Sequence, residues 1–389
     1  MSTLGVSETL PSLLAAPLDL APLRPDLDGS QGANRGGTHN QLGADDDAAA
    51  VRQFLAEYSQ SPSTQRTYRK EAERLLLWAI VQQGKPLSGL TREDFIAYTA
   101  FLADPQPAVL WCGPRRARRD DDAGSALWRP FVGPLGPAAR RAALTIINSM
   151  FTYLVQAQYL AANPLGLIRQ RHVLPMQTAS HAVLQRSFDT EEWTALVAEL
   201  EKDDTSPQAE RERYLVALLY FLALRVGELT THTMGDLRQV RGRWSFFVVG
   251  KGNKPAEIPV NAALMAAVRR YRTFLGLTAE PLPHDTMPLL PASGAGGALS
   301  ARRVSQIIKA LGDRVACTFD ATAPHKAAHL RAASPHWFRH TALTRQAEKG
   351  MHFTHLKANA RHSKLDTTML YIHTETDARH QEMDKHTWL

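Results

Sequence analysis

The sequence predicts a mainly α chain of the α+β kind: a helical N-terminal domain, then a mixed domain of helices with a small antiparallel β-sheet. Three observations carry this. Apolar residues recur at helical spacing through most segments after residue 48. A single pair of runs, 243–249 and 256–260, is strand-like, and the turn Gly250-Lys251-Gly252-Asn253-Lys254 joins them. Asn163-Pro164 closes a first helical block, and a polar linker runs from there to about residue 185.

The elements follow in order. Residues 1–47 are rich in Gly, Ala, Asp and Pro and read as a disordered acidic tail. Val51, Phe54, Leu55 and Tyr58 then fall at helical spacing until Ser61-Pro62-Ser63 breaks the pattern. Ser63 or Thr64 can cap a second helix carrying Tyr68, Leu75, Leu76, Trp78 and Ala79. Thr91-Arg92-Glu93-Asp94 has the capping-box shape before Phe95, Ile96, Tyr98 and Phe101. Residues 104–138, punctuated by Pro and Gly, read as a loop; it contains the basic run Arg115-Arg116-Ala117-Arg118-Arg119. A long helix follows from about Ala138 to Gln158, with Leu144, Ile147, Phe151 and Leu154 on one face. In the second half, helices are expected near 190–202, 211–224, 261–275, 299–312, 335–349 and 366–373.

Bulk properties narrow the class. The chain has 389 residues, long for one domain and comfortable for two. Its net charge is +7, from 45 Lys+Arg against 38 Asp+Glu. Residues 1–47 hold two basic and seven acidic residues, so the remainder carries a basic surplus of twelve. Such a body suits a polyanionic partner, because neutralised phosphates release condensed counterions. The two cysteines, Cys112 and Cys317, are far apart and lack metal-type spacing. That argues against a disulfide framework and for a reducing cytoplasm. No run approaches the roughly 18 apolar residues of a membrane span, so no membrane association is expected.

Four patches carry chemistry. Ala223-Leu224-Arg225-Val226-Gly227-Glu228-Leu229 puts an arginine at the end of an apolar helix, three residues before a glutamate. Lys251 and Lys254 sit on the hairpin turn, where Gly and Asn supply positive φ values. In Ser334-Pro335-His336-Trp337-Phe338-Arg339-His340, a capped helix start places His336 and Arg339 on one face at the positive end of the dipole, an anion-binding arrangement. Finally, His362 precedes Tyr371 by nine residues across a turn and a helix start. Each patch has an ordinary reading alone: a helix-end ion pair, solubilising lysines, a buried structural tyrosine. His336 and His340 at i,i+4 raise zinc, but no glutamate follows the first histidine and no third ligand is evident.

Taken together and in this order, the patches resemble the tyrosine recombinase (phage integrase) family. Its pattern is an R-x-x-E-L box, a lysine on a β-hairpin, H-x-x-R, a later histidine and a tyrosine nine residues on. The resemblance implies a catalytic set of Arg225, Lys251, His336, Arg339, His362 and Tyr371. It covers roughly 185–375 strongly and 48–168 weakly, through Ser63-Thr64-Gln65-Arg66-Thr67-Tyr68. It implies a helical core-binding (SAM-like) DNA-binding domain over 48–175 and a catalytic domain over 176–389. Three departures stand out: Leu222-Ala223 where the family often has Thr-Gly, Arg361 in place of the usual Gly, and the long 104–138 loop.

The implied activity is site-specific recombination, in integration, excision or resolution, through a 3′-phosphotyrosyl intermediate. Tyr371 would attack the scissile phosphorus, and Arg225 and Arg339 would hold the non-bridging oxygens. Lys251 would protonate the leaving 5′ oxygen, with His336 and His362 assisting. The bond energy is kept in the phosphotyrosine, so no cofactor and no metal are required. The implied partners are double-stranded DNA and three further copies of the chain in a tetramer, with room for accessory proteins. A type IB topoisomerase and a catalytically silent DNA-binding regulator of the same fold remain the alternatives.

Overall fold

The computed structural model describes residues 18, 25–37, 40–114, 128–168, 186–202, 205–250, 254–292 and 297–361. The chain divides into two compact units, Met1–Gln177 and Thr178–Leu389.

The first unit is helical: α1 (Asp47–Ala56), α2 (Pro62–Trp78), α3 (Arg92–Ala103) and α4 (Pro137–Gln156). The expected capping box on α3 forms, with the Thr91 hydroxyl accepting from the Asp94 N–H while Asp94 accepts from the Thr91 N–H. Helix α2 begins two to three residues earlier than the pattern suggested. Ser61 is the N-cap and Pro62 opens the first turn, where its missing N–H has no intrahelical partner to lose. Phe54, Leu75, Trp78, Phe95, Tyr98, Ile147 and Phe151 fill the core. Each such side chain contributes about 1.5–3 kcal/mol on burial.

Two expectations for this unit need correction. The stretch before residue 47 is not wholly a loose tail, because residues 25–37 and 40–47 are packed onto the helices. Asn34 donates to the Ala162 carbonyl at 2.8 Å, the Gly36 N–H reaches the Tyr159 carbonyl at 3.0 Å, and Leu18 is buried. Composition favoured disorder, but backbone pairing to Ser88, Tyr159 and Ala161 supplies contacts that composition cannot show. The arms of the 104–138 loop are likewise anchored. Trp111 and Phe131 are buried edge-on against Phe101, and Arg74 donates to the Pro130 carbonyl. The basic run 115–119 lies outside the described residues.

The second unit contains α5 (Thr190–Leu200), α6 (Pro207–Phe221), the short α7 (Val226–Thr231), strands β1 (Leu237–Val240), β2 (Arg243–Gly250) and β3 (Lys254–Pro259), then α8 (Ala262–Phe274), α9 (Ala301–Ala316), α10 (Pro324–Arg331), α11 (Pro335–Glu348) and α12 (Phe353–Ala360). The sheet is antiparallel in the order β1-β2-β3, with Phe246 opposite both Leu237 and Ile258. The predicted hairpin is β2–β3, where Gly250 pairs with Lys254. Strand β1 was not anticipated, since its pattern of one buried residue and three exposed ones carries little apolar signal. Helices α10 and α12 also escaped the periodicity reading, being only eight residues long with two buried side chains each. Helix α9 is the amphipathic counterexample: Val304, Ile307, Ile308, Leu311 and Val315 form one buried stripe. Among the described residues, no helix is long and apolar enough to cross a membrane. The helix expected over 366–373 lies outside the described residues.

Candidate active site

Helix α6 ends at Phe221 with Leu222 as its C-cap, and the chain then turns sharply through Ala223, whose φ is +46°. Left-handed backbone costs an L-residue roughly 1–2 kcal/mol. The turn delivers Arg225 to the N-cap position of α7 in extended conformation. Three residues on, Glu228 folds back: its carboxylate accepts the Arg225 backbone N–H at 2.8 Å and the Arg225 guanidinium at 2.9 Å. Glu228 is buried, whereas the Arg225 side chain keeps 34% of its surface exposed, so its guanidinium is held from behind and open in front.

The second contribution comes from α11, which starts at Pro335 with Ser334 at the N-cap position. Arg339 is fully buried and donates to the carbonyls of Ala223 and Ala360. One guanidinium thus ties the turn before Arg225 to the end of α12. His336, one turn earlier on α11, keeps solvent contact. Partial desolvation and the cations Arg339, Arg186 and Arg225 push its imidazole below the ordinary histidine range. It is therefore neutral at pH 7 and able to donate one hydrogen bond and accept another. The His336 and His340 rings meet edge to face, with centroids 4.3 Å apart.

The third contribution is Arg361, the left-handed residue that closes α12 at φ +52°. Its carbonyl accepts from Arg225 Nη2 at 3.3 Å, and its own guanidinium reaches Glu228 Oε2 at 2.8 Å and the Ala223 carbonyl at 3.1 Å. Burial works to raise the Glu228 carboxyl. Arg361, the Arg225 N–H and the Arg225 guanidinium outweigh it and hold the group below the usual carboxylate range. Three guanidiniums and one carboxylate leave this cluster with a surplus of two positive charges, an electrostatic setting suited to a phosphodiester.

A fourth element binds the hairpin to the arginine turn. His232, just past α7, has Nδ1 2.8 Å from the Glu228 carbonyl, so that nitrogen donates. Its Nε2 then accepts the Val249 N–H at 3.0 Å, near the end of β2. A Cβ built on Gly250 would lie 3.6 Å from Glu228 Oε1, so the hairpin end borders the buried carboxylate. Three of the six expected residues, Arg225, His336 and Arg339, are brought together. Lys251, His362 and Tyr371 lie outside the described residues. Sequence reading missed His232, for which a single histidine after a short helix offers no periodic or motif signal. It registered Arg361 only as a departure.

The two departures before Arg225 and His362 have a common geometry. Ala223 and Arg361 both adopt left-handed backbone, the conformation glycine takes without strain. The turn shapes are present without the glycines.

The model of the phage integrase family matches residues 186–377. The tyrosine recombinase XerC of Chromohalobacter salexigens is 30% identical over 243 residues, covering 62% of this chain and 70% of that protein. The XerC protein of Myxococcus xanthus is 28% identical over 287 residues, covering 72% and 83% respectively. In fold, the chain is similar to the XerH site-specific recombinase solved in a pre-cleavage complex with its difH substrate. The TM-score is 0.56 at 14% identity, over 86% of this chain and 83% of that one. These similarities favour a recombinase over a type IB topoisomerase or a silent regulator.

Proposed function

The chain belongs to the phage integrase family of tyrosine recombinases and is a site-specific DNA breaking and rejoining enzyme, and from that premise we propose that Arg225, Lys251, His336, Arg339, His362 and Tyr371 perform its cleavage. The observation that supports this most directly is the convergence of Arg225 with His336 and Arg339, from two separate stretches of chain, onto one positively charged cluster.

The duplex is the substrate. The Tyr371 oxygen attacks the scissile phosphorus, the bond to the 5′ oxygen breaks, and a 3′-phosphotyrosine forms. Charge building on the non-bridging oxygens is met by Arg225, which faces outward, and by buried Arg339, which acts across a short low-dielectric path. His336, neutral and half-sheltered, donates a hydrogen bond to the phosphate. Lys251 gives its proton to the departing 5′ oxygen, and His362 assists the transfer at Tyr371. Attack by the 5′ hydroxyl of a second strand reverses these steps and restores the phosphodiester. The transesterification conserves bond energy and calls on no cofactor. In this reading residues 48–175 are the core-binding domain, residues 176–389 the catalytic domain, and four copies assemble on two duplexes.

The test is covalent trapping on nicked suicide duplexes taken from the DNA flanking the gene. A denaturant-resistant protein–DNA band is expected, and it should vanish in Tyr371→Phe while duplex binding persists. A band that survives that substitution moves the nucleophile elsewhere.

A further inference from the structure

We propose that Arg361 is a positioning residue for DNA cleavage: it shares the Glu228 carboxylate with Arg225 and so sets the direction in which Arg225 presents its guanidinium. This rests on the catalytic set proposed above and adds a member that the family pattern places as glycine.

The contacts argue for a brace rather than a filler. Arg361 Nη1 donates to the Asn359 carbonyl at 2.9 Å and to the Leu222 carbonyl at 3.4 Å. Nη2 donates to the Ala223 carbonyl at 3.1 Å and to Glu228 at 2.8 Å. One side chain therefore grips both residues of the turn that precedes Arg225, its own α12 terminus, and the carboxylate that orients Arg225. The Arg361 carbonyl closes the loop by accepting from Arg225. Both partners of the Arg361–Glu228 pair are 6% exposed, so water screens the contact little.

Backbone conformation alone points the other way. At φ +52° any non-glycine residue is strained, and a glycine there would relieve that strain. An arginine in such a position is explained if its side chain does something a glycine cannot. The chemistry identified is a second cationic partner for Glu228. Without it, the carboxylate is shared only with Arg225, whose partly exposed guanidinium is then held by Glu228 and the backbone carbonyl of residue 361 alone.

Three variants test this in the full-length chain: Arg361→Gly, Arg361→Gln and Arg361→Lys. Two readouts are taken: single-turnover adduct formation on the suicide duplexes, and titration of Glu228 followed by NMR of ¹³C-labelled glutamate. The charged groups facing Glu228 among the described residues are Arg225 and Arg361, so losing one should be visible in its titration. Arg361→Gly is expected to form adduct about tenfold more slowly, the scale seen when an outer partner of a reacting group is removed. Duplex affinity should be unchanged and the Glu228 midpoint should rise. Arg361→Lys should recover part of both effects. If Arg361→Gly does not fold, Arg361→Gln, which fills the space without the charge, is judged by the same two criteria. An adduct rate within twofold of the parent chain, or an unmoved Glu228 midpoint, overturns the proposal. A parent chain that forms no adduct, or an adduct surviving Tyr371→Phe, instead overturns the catalytic set, and the Glu228 titration alone then decides the role of Arg361.

Discussion

Glu228→Gln isolates the electrostatic centre of the site. Glu228 is 6% exposed and accepts three hydrogen bonds, two from guanidiniums and one from the Arg225 N–H. The amide keeps the shape but removes the anion, leaving Arg225 and Arg361 facing each other with no charge between them. Breaking a buried pair by removing one partner costs about 3–5 kcal/mol. Arg225 is one-third exposed and partly solvated, so its share is screened and a total of about 2–4 kcal/mol is the working figure. For a unit of this size, each kcal/mol shifts Tm by about 2–4 °C, so a drop of roughly 5–15 °C is expected at pH 7. The pH dependence supplies a second check. The folded carboxyl lies below its ordinary value, so its stabilisation is present above the unfolded pKa and fades as pH falls through the folded one. The gap between parent and variant should therefore be full at pH 7 and narrow progressively below about pH 4. Thermal unfolding of both chains from pH 7 to 3, followed by the fluorescence of the tryptophans, measures it. A Tm change below about 1 °C at pH 7, or a gap that does not vary with pH, would refute the ion-pair account.

Three further outcomes are expected. Arg339→Ala should slow adduct formation by about 10²–10³-fold, as for an oxyanion donor, and should lower Tm because the Ala360 carbonyl loses its guanidinium and the Ala223 carbonyl keeps only that of Arg361; cleavage near the parent rate would remove Arg339 from the set. His232→Ala should slow adduct formation by about tenfold to a hundredfold with duplex binding retained, because it unties the end of β2 at Val249 from α7 beside Glu228; an unchanged single-turnover rate would show that the site needs no such tie. In the first unit, burial raises the Asp47 carboxyl to about 6, against hydrogen bonds from Ser88 and Tyr159 that lower it. A raised folded pKa means stability gained on protonation, so this group favours the first unit by on the order of 2 kcal/mol more at pH 4 than at pH 7. Asp47→Asn should flatten that trend in urea unfolding, and an identical pH profile would refute it.

The sequence by itself determined the fold class, the β2–β3 hairpin, the long amphipathic helices and the family, because each rests on local pattern. Heptad-like stripes such as that of α9 need only side-chain spacing, and the family motif needs only residue type and order. Weakly patterned pieces were out of reach: β1, α10 and α12 bury too few residues to leave a period. The docking of residues 25–37 and 40–47 onto the helices of the first unit depends on backbone hydrogen bonds to Ser88 and Tyr159, to which composition is blind. At the site, the sequence named Arg225, His336 and Arg339, yet only tertiary structure joined them, since their contacts span over a hundred residues of chain. It alone turned two missing glycines into two left-handed turns held by guanidiniums, and an apparent departure at Arg361 into a second partner for Glu228. A guanidinium's role is set by the carbonyls and carboxylates that folding brings within about 3 Å of it, and hydrogen-bond reach of that kind has no counterpart in one-dimensional spacing.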